Sequence, residues 1–92
     1  MSEEKITYFY NKFKEKRKAK DISISDISKK IKIQEKYIRA IENGEFNTLP
    51  KVYIRLFLKS YSSSIGLDPE KIILDYESHL TGKDNKKNTN KT

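Results

Sequence analysis

Apolar residues recur at helical spacing along most of the chain, and no segment alternates apolar and polar residues as a half-exposed strand does. Turn residues divide the pattern into five amphipathic segments. The sequence therefore predicts an all-α fold of five short helices within residues 1–80. The predicted ranges are 3–19, 24–31, 35–43, 51–65 and a fifth helix that opens at Pro69. The first helix would bury a stripe of Ile6, Phe9, Tyr10 and Phe13, and the fifth a stripe of Ile72, Ile73, Tyr76 and Leu80.

Capping residues mark several helix ends. Ser23 with Asp26 three residues later has the form of a capping box at the start of the second helix. Gly44 stands where a left-handed residue ends the third helix. Asp68 before Pro69 combines an N-cap with a proline at the first helical position. Ser2 is the corresponding N-cap candidate for the first helix.

The spacing of isoleucines over residues 24–41 indicates a helix-turn-helix unit. Such a unit needs a small residue where two helices cross at a steep angle, and Ser28 fills that position. Lys32 occupies the turn position that is usually glycine. Every apolar offset of the motif holds an isoleucine: Ile27, Ile31, Ile33, Ile38 and Ile41.

Composition limits the size of the core and the chemistry. The chain has 92 residues, of which 35% are apolar and 36% charged, enough for one thin core and too little for a two-domain enzyme or a large ligand cavity. The absence of cysteine excludes a disulfide framework and a thiolate metal site, which suits a reducing cytoplasm. No apolar run approaches the ~20 residues of a transmembrane helix.

The net charge of +7 is typical of a nucleic-acid-binding protein, but the position of the basic residues in the chain weakens that interpretation. Residues 1–20 hold seven basic and three acidic side chains, a surplus of +4, and residues 81–92 hold four and one, a surplus of +3. Residues 21–50 and 51–80 are each neutral. Residues 81–92 contain no apolar side chain, so we expect a disordered basic tail or linker there.

DNA binding is nevertheless one interpretation of the helix-turn-helix unit. The third helix, residues 35–43, would act as the recognition helix in the major groove. Against this, Glu35 lies in the first turn of that helix, where a DNA phosphate is normally bound. Neutralisation of phosphates supplies most of the non-specific affinity for DNA, so an acidic side chain at this place disfavours binding. The candidate DNA contacts are Gln34, Lys36, Arg39 and Asn43.

Two sequence blocks carry a resemblance to a known family. Residues 42–50 read Glu-Asn-Gly-Glu-Phe-x-x-Leu-Pro, and residues 52–61 read Val-Tyr-x-Arg-x-Phe-Leu-x-Ser-Tyr. Together, and in this order, they resemble the cytoplasmic helix-turn-helix domain of the RodZ family of bacterial cell-shape proteins. The resemblance runs from about Phe13 to Tyr76. Two positions depart from the family pattern. A single residue, Lys51, separates Pro50 from Val52 where relatives commonly have two, and Leu56 replaces a usual glycine.

The resemblance implies a protein partner and a location. Members of the family bind the bacterial actin homologue MreB through aromatic residues of helix 4, which correspond here to Tyr53 and Phe57. A basic juxtamembrane linker and one transmembrane helix normally follow, which places the domain at the cytoplasmic face of the inner membrane; this chain shows no such helix. The helix-turn-helix pattern also resembles lambda-repressor-like domains, in which a structural ion pair ties helix 1 to helix 3; Arg17 and Glu42 fit that pair. The alternative is that Arg17 is a solvated member of the lysine run.

The fourth helix has more apolar surface than one core requires. Its apolar arc spans about 240°, whereas a surface helix needs a stripe little more than about 100° wide. The core would take Ile54, Leu58, Tyr61 and Ile65, and the surplus residues are Val52, Tyr53, Leu56 and Phe57. Arg55 and Lys59 flank them and could meet an acidic patch on a partner. The alternative is that helices 1 and 5 cover the whole of helix 4.

No sequence feature indicates catalysis. There is no nucleophile motif, paired carboxylate arrangement or glycine-rich phosphate loop, so we expect a non-enzyme without cofactor or metal. His79, the only histidine, is expected to face solvent. A further alternative, helix 1 as a basic anchor on a membrane surface, ranks last because its lysines cluster toward one end.

Overall fold

The computed structural model describes residues 8–82, and within that range the chain forms five α-helices, two short 3₁₀ segments and no strand. The all-α prediction is confirmed. Residues 3–7 of the predicted first helix and residues 83–92 of the predicted tail lie outside the described range. The helices are α1 (Asn11–Ala19), α2 (Ile24–Ile31), α3 (Glu35–Asn43), α4 (Ile54–Ser64) and α5 (Pro69–Leu80), and the 3₁₀ segments are Phe46–Thr48 and Lys51–Tyr53.

Local hydrogen bonds set the helix-turn-helix unit of α2 and α3. The Ser23 hydroxyl accepts the Asp26 backbone N–H at 3.0 Å and caps α2, as predicted. Lys32 ends α2 in the left-handed conformation with φ 60°, so a lysine adopts the backbone that glycine usually supplies. The Ser28 hydroxyl donates to the Ile33 carbonyl oxygen at 2.6 Å across this turn. The turn is therefore formed without glycine.

One core joins all five helices. The Phe13 ring of α1 stacks on the Tyr61 ring of α4 with centroids 4.7 Å apart, while α5 packs along α4 through Ile72 and Tyr76. Gly66 turns the chain from α4 into α5, and the Asp68 carboxylate accepts the Glu70 backbone N–H at the start of α5. The buried apolar residues are Phe9, Phe13, Ile27, Ile33, Ile38, Ala40, Ile41, Phe46, Leu49, Ile54, Leu58, Tyr61, Ile65, Ile72 and Tyr76.

The first helix begins later than predicted. Tyr8, Phe9 and Tyr10 form a turn, and the Asn11 backbone N–H bonds the Tyr8 carbonyl three residues back. The prediction that residues 8–10 are helical was therefore wrong. Long-range packing explains the turn: the Phe9 ring stacks on Phe46 at 5.7 Å between centroids.

Two further boundaries differ from the sequence prediction. Residues 51–53 form a 3₁₀ turn, and the α-helix begins only at Ile54, after Pro50 has set an extended backbone. Leu80, predicted to be buried, is 58% exposed because α5 ends there, beyond the reach of the core.

Candidate partner-binding surface

A buried polar cluster fixes α4 against α1 and α3. Arg17 Nε donates to Glu42 Oε2 at 2.7 Å and its Nη2 donates to Oε1 at 3.2 Å, so the predicted ion pair is present. Arg17 also donates to the Ile22 carbonyl oxygen, and the Tyr61 hydroxyl donates to Glu42 Oε2. The hydrogen bond to Glu42 raises the pKa of Arg17, and burial followed by the same carboxylate raises the pKa of Tyr61. Both groups keep their protons in the folded domain.

With one side of α4 held in the core, the other side faces outward. Val52 is 84% exposed, Leu56 55% and Tyr53 50%, and Phe57 is half-buried. We call these four residues the α4 outer face. The alternative that α1 and α5 cover the whole of α4 is wrong, because both pack on its core side. The residues of α4 and its C-cap that take up that side are Ile54, Leu58, Tyr61, Ser62 and Ile65.

Aromatic rings extend the α4 outer face onto α3. The Tyr53 and Phe57 rings stack with centroids 5.9 Å apart and planes 12° apart, and Phe57 also contacts the Tyr37 ring at 5.6 Å. Lys36 Nζ lies 5.1 Å above the Tyr37 ring centroid. Tyr37 was not predicted as part of this surface, although an aromatic residue next to the core position Ile38 was a signal in the sequence.

The two predicted cationic neighbours of this surface behave differently. Arg55 Nε lies 3.4 Å from Glu77 Oε2, and its guanidinium sits over the Tyr76 ring, so it is drawn toward α5. Lys59 is exposed and has no ion pair within residues 8–82. Of these two cations, Lys59 is therefore the one without a competing carboxylate.

The candidate recognition helix presents exposed side chains but carries no net charge. Gln34, Lys36, Arg39 and Asn43 are all exposed. Arg39 Nη2, however, lies 3.0 Å from Glu35 Oε1 one helical turn away. Lys36 is placed over Tyr37, as described above. Of the two cations among these four residues, Arg39 is therefore already paired with a carboxylate.

His79 lies in a ring cluster rather than in solvent, which corrects the sequence prediction. It is partly buried, and its imidazole contacts the rings of Tyr8, Phe9, Tyr10 and Phe46 at centroid distances of 5.6–6.3 Å. Among the described residues, no group of three or more His, Cys, Asp or Glu side chains is arranged to hold a metal ion. In the same range, no helix combines the length and the apolar character needed to cross a bilayer.

The family follows from comparison with known proteins. A family model described as a helix-turn-helix domain matches residues 12–72, and the chain belongs to this family. The chain is 32% identical over 60 residues to the uncharacterized membrane protein YmfM of Bacillus subtilis strain 168. That match covers 64% of this chain and 21% of YmfM, so the chain spans about a fifth of that relative. No solved structure matches the chain significantly.

Proposed function

We propose that this helix-turn-helix domain is a cytoskeletal adaptor that binds the bacterial actin homologue MreB through the α4 outer face. It would thereby link MreB filaments to the membrane for cell-shape control. The observation that carries the proposal is the exposure of Val52 and Tyr53, in the 3₁₀ turn before α4, and of Leu56 on α4, whose opposite side already completes the core. An apolar surface of this kind, with stacked aromatic side chains, has the character of a protein-binding hot spot.

Two similarities support this assignment. The blocks at residues 42–50 and 52–61 resemble the RodZ family, and Tyr53 and Phe57 occupy the positions that contact MreB there. The similarity to YmfM, a membrane protein by its name, agrees with a full-length protein that holds this domain at the cytoplasmic face of the inner membrane. Such a function needs neither a catalytic group nor a cofactor.

The alternative is a sequence-specific DNA-binding regulator that uses Gln34, Lys36, Arg39 and Asn43. The Arg39–Glu35 pair and the neutral charge of α3 argue against it, because groove binding draws on uncompensated cations. A regulator would form a complex with one DNA sequence near physiological salt, and Arg39→Ala would abolish that complex. Weak binding that disappears between about 50 and 200 mM salt would reflect charge attraction alone.

Co-sedimentation with MreB polymers tests the adaptor proposal. Tyr53→Ala/Phe57→Ala should weaken binding by about 2 kcal/mol or more, roughly 30-fold, because hot-spot aromatics dominate such interfaces. Phe57 is half-buried, so Tyr53→Ala/Leu56→Ala serves as a second variant that changes only side chains at least half exposed.

The matched control is Leu74→Ala/Leu80→Ala, which removes exposed apolar side chains from α5 instead. We expect the control to pellet like the unmodified protein. If both α4 variants also pellet like the unmodified protein, MreB does not bind at the α4 outer face and the proposal fails.

A further inference from the structure

The α4 outer face continues onto α3 through a row of aromatic rings. Tyr53 stacks on Phe57, and the Phe57 ring contacts Tyr37 at 5.6 Å between centroids, so the three rings form one aromatic strip across two helices. Phe57 and Tyr37 are both partly buried against the core, which holds their rings in place. A partner that covers the Phe57 ring therefore lies next to α3 as well.

Lys36 places a positive charge at the α3 edge of the aromatic strip. Its side chain is exposed, and its Nζ lies 5.1 Å from the Tyr37 ring centroid. It forms no ion pair within residues 8–82. Glu35, the adjacent acid, pairs with Arg39 instead, and the residues three and four positions from Lys36 include no acid. The ammonium group is therefore available to a carboxylate of a partner.

Lys59 places a second cation at the opposite edge of the same surface. It lies one helical turn after Arg55, whose guanidinium is drawn to Glu77 of α5, so this edge is on the α5 side of α4. Lys59 is exposed and, like Lys36, forms no ion pair among the described residues. At 3.6 residues per turn, the exposed Leu56 lies between Lys59 and the aromatic strip. The surface therefore has an apolar centre and a cation at each edge.

We infer that α3 contributes Tyr37 and Lys36 to the partner-binding surface, and that the bound protein places a carboxylate opposite Lys36. This role rests on the proposed function and defines the chemistry of the partner: an apolar patch that covers the aromatic strip, with acidic side chains at its edges that face Lys36 and Lys59. Charge complementarity around an apolar centre sets the choice of partner and the rate of association. Lys36, predicted from the sequence as a DNA contact, thereby becomes part of a protein interface.

A nucleic acid fits this surface less well than a protein does. Exposed apolar side chains separate Lys36 from Lys59, whereas a phosphate backbone is bound by cations that follow its path. Arg39, which a groove-binding α3 would also use, follows Tyr37 by two residues, about 200° around the helix, and so lies away from the aromatic strip. A protein on the strip therefore contacts Lys36 without Arg39, whereas DNA on α3 would contact both.

Co-sedimentation with MreB polymers at about 50 and about 200 mM salt tests the role of Lys36. The test variant is Lys36→Gln, and the matched control Arg39→Gln removes one exposed positive charge from the same helix. At the lower salt concentration, we expect Lys36→Gln to weaken binding about fivefold and Arg39→Gln less than about twofold. Binding of Lys36→Gln should also depend less steeply on salt than that of the unmodified protein, because one screened charge contact has been removed.

Tyr37→Ala tests the aromatic part that α3 contributes, with Tyr37→Phe, which keeps the ring, as its control. We expect about tenfold weaker binding for the first variant and unchanged binding for the second. Circular dichroism reports whether Tyr37→Ala folds. Lys36→Gln changes only an exposed side chain, so it tests the surface even if Tyr37→Ala unfolds.

The variants of α3 and α4 separate this inference from the adaptor proposal. Unchanged binding by Lys36→Gln, together with weakened binding by Tyr53→Ala/Leu56→Ala, would overturn the role of Lys36 and leave the adaptor proposal standing. Equal weakening by Lys36→Gln and Arg39→Gln would also overturn it, because the effect would then be one of overall charge. If Tyr53→Ala/Leu56→Ala pellets like the unmodified protein, the adaptor proposal fails, and the role of Lys36 fails with it.

Discussion

Neutralising Glu42 should destabilise the folded domain strongly, because this carboxylate compensates a buried guanidinium. Glu42 and Arg17 are each only 8% exposed, and Glu42 also accepts the Tyr61 hydroxyl. Removing one partner of a buried ion pair typically costs about 3–5 kcal/mol, since the other charge is left buried and uncompensated. For Glu42→Gln, which preserves shape and one acceptor, we expect the low end, about 3 kcal/mol.

That loss is large for a domain of this size. At about 0.05–0.15 kcal/mol per residue, the described 75-residue domain has a free energy of unfolding of roughly 4–11 kcal/mol. A loss of about 3 kcal/mol corresponds to a fall of roughly 1–3 M in the urea midpoint. Urea unfolding followed by far-ultraviolet circular dichroism measures it directly.

The matched control is Glu35→Gln, which breaks the other glutamate–arginine pair of α3. Its partner Arg39 is exposed, so the cost should be at most about 0.5 kcal/mol. A loss below about 1 kcal/mol for Glu42→Gln, or equal losses for the two variants, would refute the argument that burial makes the first pair important. The triple variant Arg17→Met/Glu42→Leu/Tyr61→Phe should recover part of the stability, because it leaves none of the three polar groups unpaired.

Two further predictions concern Tyr61 and Gly44. The pKa of Tyr61 in the folded state is raised above its ordinary value of 10.0, so above about pH 10 the unfolded chain releases a proton that the folded domain retains. The contribution of Tyr61 to the free energy of unfolding is therefore complete below about pH 10 and falls by about 1.4 kcal/mol per pH unit above it. Urea unfolding between pH 9 and 11 should therefore show a steeper decline for the unmodified protein than for Tyr61→Phe; parallel declines would contradict this. Gly44→Ala should cost more stability than Gly82→Ala in thermal unfolding: both glycines have positive φ (74° and 78°), but only a Cβ at Gly44 would collide with the Tyr10 ring. Equal losses would show that backbone strain alone matters.

Local features of the sequence were sufficient to predict α2, α3 and the helix-turn-helix unit. Isoleucine spacing within a few turns specifies which side of each helix is apolar, and caps such as Ser23 and Gly44 act through hydrogen bonds or backbone conformations within one turn. The same periodicity showed that α4 has more apolar surface than a core requires. These properties depend on neighbours in sequence and are therefore readable from it.

Only the tertiary structure decided which apolar residues remain exposed and which charges are already paired. Phe9 leaves the predicted helix because it meets Phe46, a residue far along the chain. Leu80 matches the apolar stripe of α5 yet projects past the end of the core, whereas Leu56 is exposed because no helix packs on that side of α4. Arg55 is drawn to Glu77 on another helix. Such outcomes depend on how helices distant in sequence pack, and periodicity within one segment carries no information about its neighbours in space.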